Sequence, residues 1–417
     1  MQAASAALTA AADVPAQEPW PKAPGYGRNT IGEVLSSSAA ALGVPGFTNP
    51  LRIPSGRRIC VVLVDGLGKA LLAQRAAHAP FLRSVMGDPD SRMATLSASF
   101  PSTTVSSLTS LGTGVAPGQH GMVGYDVLDP AQDKVVNLLG GWDPGVDPLA
   151  WQPFPTVFER LRGNVPVATV SLPKFADSPM TRAALRGSEF HAATSPHART
   201  AAAAELMAAN ENMLLYFYWS ELDKAGHGHG SQSAAWEHQL EELDAAMKRL
   251  ASALPPDTVL LLTADHGMLD IPVQGRIDYS AEDELVAGVR HTAGEPRMVH
   301  LYLEPDAGDQ VRDRLVDAWL RRYGKQAWVL TREQAVRARY FGTVRPEVLG
   351  RIGDVLIAAR EPIAFYDLRR VRSSAMEMVG QHGSLTKAER EVPLLRIPMS
   401  TATGKGSGKG RSRSRRG

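Results

Sequence analysis

A chain of 417 residues, 44% of them hydrophobic and 21% charged, can bury a substantial core as one large domain or two smaller ones. Its single cysteine, Cys60, excludes an intramolecular disulfide and a cysteine-rich zinc site, and no apolar run approaches the roughly 20 residues of a membrane helix. The net charge is +2, but six cations and no acid lie in 404–417, and without them the remainder carries −4.

Residues 1–50 are rich in Ala, Pro and Ser and are expected to form an N-terminal arm with a short helix over 31–42. The start, 1–12, lacks the basic residues and long apolar centre of a secretory leader, so the expected location is cytoplasmic. From 57 onward strand-like runs alternate with helical patterns. A strand over 59–64 precedes a helix over 69–86, and a strand over 93–98 precedes a helix over 105–111. Strands over 165–171, 213–218 and 258–263 alternate with helices over 200–209 and 234–254. The alternation predicts an α/β fold, a three-layer α/β/α sandwich around a mostly parallel sheet. Strands of such a sheet are covered on both faces, which accounts for continuous apolar runs such as Ile59-Cys60-Val61-Val62-Leu63-Val64.

Pro, Gly and charges interrupt the pattern over 125–195 and 269–381, which are expected to form cap or rim insertions. A last structured segment is expected over 391–398, closing a catalytic domain of 51–398. The tail 399–417 has too few apolar side chains to offset its ordering entropy and is expected to be disordered. Contact of the tail with nucleic acid is the weaker reading beside simple solvation.

Three acid-and-histidine clusters follow apolar runs. Asp65-Gly66 ends the run 59–64, Asp223 and His227 follow the run 213–218, and Asp265-His266-Gly267 ends the run 259–263; His382 lies in a glycine-flanked run further on. In open α/β sheets ligand sites collect beyond the carboxyl ends of the strands, so clusters distant in sequence can meet there. Singly, each has an ordinary reading: Asp65 as a helix cap, the histidines as hydrogen-bonded surface groups. Asp223 and His227 are four apart, so one helical turn brings them to one side, while Gly226, Gly228 and Gly230 leave the backbone free to wrap an ion. Together, three carboxylates and three imidazoles suit borderline divalent metals such as zinc and suffice for two ions. Two such ions form a clamp for the attacking and leaving oxygens of a phosphoryl transfer.

The run Ser99-Phe100-Pro101-Ser102-Thr103-Thr104 offers a nucleophile. Pro101 sets an extended entry, and the hydroxyls reach the first turn of a helix whose N–H groups and dipole favour phosphate oxygens. The ordinary alternative is N-capping by Ser102 or Thr103.

These elements resemble the alkaline phosphatase superfamily, and within it the nucleotide pyrophosphatase/phosphodiesterase branch, over about 57–383. That branch has an Asp after the first strand, a Phe-Pro-Thr-x-Thr element, an Asp-x-x-x-His pair, an Asp-His-Gly triplet and a late His. The matching positions, in the same order, are Asp65, Phe100 to Thr104, Asp223 with His227, Asp265 with His266, and His382. The resemblance implies that Asp65, Thr104, Asp265 and His266 hold one divalent ion, expected to be Zn2+, and that Asp223, His227 and His382 hold a second. It also implies in-line attack by Thr104 on a small phosphate ester or nucleotide, through a phosphothreonine. Two departures are visible. Ser102 replaces the usual Thr, and Tyr125 stands where an Asn contacts a phosphate oxygen.

The resemblance leaves phosphonoacetate hydrolysis and phosphomonoester hydrolysis on the same scaffold as alternatives, and a metal-containing binding protein as the non-enzyme reading. A sulfatase is not supported, because no C/S-x-P-x-R signature occurs, nor is a P-loop, because Gly66-Leu67-Gly68-Lys69-Ala70 lacks its spacing. His120 is read as a structural loop histidine. Arg290 or Arg297 meeting a phosphate is the weaker reading beside a surface turn. Trp142, Trp151 and Phe154 are read as core packing ahead of nucleobase stacking.

Overall fold

A computed structural model describes residues 17–89, 91 and 93–399; the leader question at 1–12 and the basic tail fall outside these residues. The central sheet follows from the apolar runs. Ile59 to Val64 are fully buried, and the strands Met213–Trp219 and Thr258–Thr263 are buried along their whole length. Seven strands take the spatial order Met93–Ser97, Glu391–Ile397, Thr258–Thr263, Arg58–Val64, Met213–Trp219, Val167–Ser171, Glu189–Ala192. Only Glu391–Ile397 runs against the rest. It closes the gap between Met93–Ser97 and Thr258–Thr263, so the last structured segment is an interior strand of the sheet.

Helices cover both faces, giving the three layers the alternation predicts. Pro80–Gly87, Pro196–Ala209, Glu221–His229 and Ala234–Ala253 form one group, and Glu33–Ala41, Thr104–Thr113, Val157–Leu161 and Pro179–Ala184 the other. Glu33–Ala41 is more than part of an arm, since Ile31, Val34 and Leu35 are fully buried in the main core. The helix expected over 69–86 is broken: Lys69–Gln74 is followed by a single turn at Ala76–His78, and Pro80 starts a new helix, Pro80–Gly87. Proline removes a backbone donor and clashes with a preceding turn, but fits the first turn of a helix.

The interrupted stretch 269–381 contains a four-stranded antiparallel sheet, ordered Val289–Glu295, Met298–Leu303, Val355–Ala359, Ala327–Thr331. Leu301, Trp319, Val329, Ile357 and Phe365 build a separate core beneath it. Cys60 is a buried core residue.

Candidate active site

Sheet order positions the site. Thr258–Thr263, Arg58–Val64 and Met213–Trp219 are adjacent and in parallel register, so the turns after them emerge side by side, carrying Asp265-His266, Asp65 and Asp223. The fourth contribution comes from the turn between Met93–Ser97 and the helix Thr104–Thr113, whose first residue is Thr104. The peptide bond between Phe100 and Pro101 is cis. Ser102 is tied to the His382 turn: its N–H donates to Gly383 O at 3.1 Å, its hydroxyl to Ser384 O at 2.7 Å, and its carbonyl accepts from His382 Nδ1 at 3.0 Å. Residues nearly three hundred positions apart are thereby locked together.

The expected helical turn forms: Asp223 and His227 lie in the helix Glu221–His229, with Gly226 and Gly228 inside it and Gly230, at φ of +87°, just past its end. Asp223 and His227 share one side of it, with His227 Nε2 3.4 Å from Asp223 Oδ2. The required glycines lie elsewhere. Gly66 has φ of +73°, and a side chain there would press on Asp223 Cα at 3.2 Å. A Cβ on Gly267 would lie 2.0 Å from Ala388 O. Neither expected cap forms: Thr103 is the N-cap residue but makes no side-chain cap bond, and Ser102 bonds the neighbouring loop.

Thr104 Oγ1 lies 3.1 Å from His266 Nε2 and 3.5 Å from Asp65 Oδ1. His266 Nε2 is also 3.3 Å from Asp65 Oδ1 and 3.5 Å from Asp265 Oδ2. Asp265 Oδ1 accepts from the N–H groups of Gly66 and His266, whereas its Oδ2, like Asp223 Oδ1, has no hydrogen-bond partner among the described residues. The hydroxyl of Tyr218 donates to Asp65 Oδ2. His382 stacks on His266 with ring centroids 3.6 Å apart, and lies 5.2 Å from the His227 ring. The structure thus brings together all seven residues expected at the site.

Three hydrogen bonds fix the histidine tautomers. Nδ1 of His227, His266 and His382 faces a carbonyl oxygen, of Gly380, Gly267 and Ser102 respectively. A carbonyl only accepts, so each Nδ1 carries the proton, and Nε2 of the neutral ring is left as a lone-pair donor toward the cluster. Among the described residues, one atom from each of Asp223, His227 and His382, and likewise of Asp65, Asp223 and His266, lie within 4.8 Å of one another.

The electrostatics carry the mark of missing positive charge. Burial, then repulsion from Asp65, pushes the Asp265 carboxyl well above its usual range, and burial raises Asp223. Asp65 is lowered despite burial, because His266 hydrogen-bonds it. Burial opposes charge on His266, but Asp265 and Asp65 outweigh it and lift the ring to about 10; His382 is held well below 6.5 by burial and by the two neighbouring imidazoles. Three carboxylates crowded together, Asp65 and Asp265 buried and Asp223 half-buried, two of them with an unpartnered oxygen, fit a divalent cation in their midst.

Two cavities meet at Thr104, Asp223 and His227. The first, about 910 Å³, is bordered by Asp65, Lys174, Phe175, Phe190, Tyr218 and Lys224. The second, about 430 Å³, is bordered by Tyr125, Tyr279, Glu295, Phe365, Tyr366 and His382. Tyr125 therefore shares a cavity with Thr104, and its N–H donates to Glu295 Oε1 at 3.0 Å.

The type I phosphodiesterase / nucleotide pyrophosphatase family matches residues 59–385, most of the chain. The chain belongs to that family. The fold of this phosphodiesterase-family chain is similar to murine ectonucleotide pyrophosphatase/phosphodiesterase 5, in an inactive form in complex with AMP, with TM-score 0.64 and 19% identity over 82% of this chain and 88% of the other. The human ectonucleotide pyrophosphatase/phosphodiesterase 5 gives 0.60 and 17% over 81% and 87%. Phosphonoacetate hydrolase from Sinorhizobium meliloti in complex with phosphonoacetate gives 0.61 and 19% over 82% and 90%. No curated protein matches the chain in sequence. Family and fold together support a phosphoryl hydrolase. Among the described residues no helix is long and apolar enough to cross a membrane.

The remaining candidates have structural roles in this family member. His120 is buried and neutral, its pKa pushed down to about 3 by burial; Nδ1 accepts from Met122 N and Nε2 lies 3.0 Å from Ser110 Oγ. Trp142 and Trp151 pack edge-to-face, and both indole N–H groups bond backbone carbonyls; Phe154 lies under the Arg345 guanidinium. Arg290 is a surface residue paired with Asp133 and Glu304. Arg297 corrects the expectation of a surface turn: it is fully buried, with two bonds to Glu389 at 2.8 and 2.9 Å and others to the carbonyls of Ala359, Glu361 and Ile363. Sequence reasoning passed over Tyr218 and Glu295. Tyr218 is five residues before Asp223 at the end of a strand, and Glu295 sits in the turn that drew attention only for its arginine.

Proposed function

We propose that this chain is a two-metal phosphodiesterase that cleaves small phosphate diesters or nucleotide pyrophosphates through a phosphothreonine on Thr104. The observation that carries the reading is the convergence of Asp65, Asp265 and His266 on one side of Thr104 Oγ1, with Asp223, His227 and His382 alongside. In this reading Asp65, Thr104, Asp265 and His266 hold one ion, expected to be Zn2+, and Asp223, His227 and His382 the other. When bound, the two ions lower the pKa of a coordinated hydroxyl or water and stabilise the charge on the attacking and departing oxygens.

The chain's own residues supply the rest. Thr104 is set at the first turn of Thr104–Thr113, where backbone N–H groups and the helix dipole favour the oxygens of a phosphoryl group. Its Oγ1 loses a proton and bonds phosphorus as the bond to the leaving alcohol breaks, and the alcohol departs protonated. Water then cleaves the Thr104–phosphorus bond, restoring the hydroxyl and releasing the monoester. Tyr125, in place of the branch's usual Asn, presents its phenol hydrogen to the phosphoryl group from the second cavity.

Support for a second reading, hydrolysis of a phosphonate that carries a carboxylate, comes from Lys174 and Lys224 bordering the first cavity. One assay separates the possibilities. Purified protein with added zinc is expected to hydrolyse bis(p-nitrophenyl) phosphate faster than p-nitrophenyl phosphate or phosphonoacetate, and chelation is expected to abolish the activity. Preference for phosphonoacetate or for the monoester would replace the diester reading, and inertness toward all three with several divalent metals would favour a binding protein.

A further inference from the structure

Glu295 is a buried acid that the reaction above does not use. It ends the strand Val289–Glu295 of the second sheet and borders the smaller cavity together with Thr104 and Tyr125. Its residue exposure is 5%. One carboxylate oxygen, Oε1, accepts from Tyr125 N; the Thr103 hydroxyl is near enough to the carboxyl to lower its pKa, while Oε2 makes no hydrogen bond of full geometry among the described residues. Asp126 and Asp367, acids of the same cavity, are by contrast paired with Arg370 and Arg369. Leaving one buried carboxyl oxygen without a donor costs free energy that a ligand group can recover.

The two cavities are also distinguishable as the two arms of a diester. Asp65 borders the first and not the second, whereas His382 and Glu295 border the second and not the first. On the proposed function, the departing oxygen leaves beside Asp223, His227 and His382, which directs the leaving alcohol into the second cavity. Tyr125, Tyr279, Phe365 and Tyr366 give that cavity aromatic walls, a lining compatible with an alkyl chain or an ammonium group.

We propose that the second cavity receives the leaving alcohol and that Glu295 Oε2 accepts a hydrogen bond from a hydroxyl or ammonium group carried by that alcohol. This rests on the phosphodiesterase reading and narrows it to diesters with a donor-bearing alcohol. Burial raises the Glu295 pKa to about 8, so Oε2 is an acceptor in the ionised carboxylate, a form that a ligand ammonium favours, and the competition below is read above pH 8.

The test uses the zinc-loaded full chain hydrolysing bis(p-nitrophenyl) phosphate, with three competitors that share a methyl arm: methyl ethyl phosphate, methyl 2-hydroxyethyl phosphate and methyl 2-aminoethyl phosphate. The two donor-bearing competitors are expected to inhibit at roughly tenfold lower concentration than the ethyl compound, the value of one net hydrogen bond. A gain confined to the aminoethyl compound identifies an ammonium, and a gain shared with the hydroxyethyl compound identifies any donor. In Glu295→Gln the amide oxygen keeps the bond from Tyr125 N, while an NH2 group replaces Oε2; the advantage is expected to shrink to within about twofold. Glu295→Asp, which shortens the reach, is the second variant and is expected to lose the advantage in the same way. Equal inhibition of the native enzyme by all three compounds overturns the inference, as does an advantage that survives in both variants. Inertness toward bis(p-nitrophenyl) phosphate would instead remove the underlying reading, a result distinct from either.

Discussion

Thr104 Oγ1 and His266 Nε2 stand 3.1 Å apart although 162 positions separate them in the chain. The hydroxyl belongs to the first residue of a helix and the imidazole to a turn beyond a central strand. Thr104→Ala is expected to lower diesterase kcat by about a thousandfold or more while leaving the fold intact, since it removes the attacking atom from a small buried side chain. Steady-state rates with a melting curve for each protein check this, and full turnover by the variant would refute the nucleophile assignment.

Tyr218 donates to Asp65 Oδ2, and His382 is anchored through Nδ1 to Ser102. Tyr218→Phe frees Asp65 to rotate and is expected to weaken metal affinity by about 10- to 100-fold. His382→Ala removes one proposed ligand and is expected to lower bound metal by about one ion per chain. Elemental analysis after dialysis reads both. Chelation of the native protein is expected to lower its melting temperature, because an ion bound only by the folded state stabilises it.

Glu295 sets a pH dependence with a definite sign. Its folded-state pKa is raised from 4.5 to about 8, chiefly by burial. A raised pKa means that the folded chain holds the proton longer than the unfolded chain, so the stability linked to that proton is complete below about pH 4.5 and is lost as pH rises through about 8. Glu295→Gln has no such proton to lose. In chelated protein its melting temperature is expected to exceed that of the native chain at pH 9 by a few degrees, roughly 1–2 kcal/mol, with the gap closing toward pH 5. A constant gap across that range would contradict the assignment.

Arg297 and Glu389, both fully buried, join the second sheet to the His382 turn. Glu389 accepts from Arg297 and from Ser384 N, its carbonyl accepts from Gly267 N, and Ser384 O accepts from Ser102 Oγ. Arg297→Met leaves a buried carboxylate unpaired and is expected to cost about 3–5 kcal/mol. Denaturant unfolding measures the loss. Metal affinity is expected to fall with it, because the turns bearing His266 and His382 share this pair.

The sequence by itself determined the parallel sheet, since doubly covered strands must be continuously apolar, and runs such as Met213 to Trp219 can satisfy that in few other ways. It also placed carboxylates and imidazoles at the strand ends, because Asp65, Asp223 with His227, and Asp265-His266 lie within a few residues of buried strands. What it left open depends on partners remote along the chain. The break at Pro80 was visible in composition but not its geometry, whereas the helical setting of Asp223 and His227 was legible from their spacing of four despite three glycines nearby. The placement of Glu391–Ile397 inside the sheet, the burial of Arg297 against Glu389 and the solitary oxygen of Glu295 were decided by tertiary structure alone. Each depends on groups nearly a hundred residues or more away, and local periodicity carries no information about which distant group will satisfy a buried hydrogen bond or charge, or whether one will.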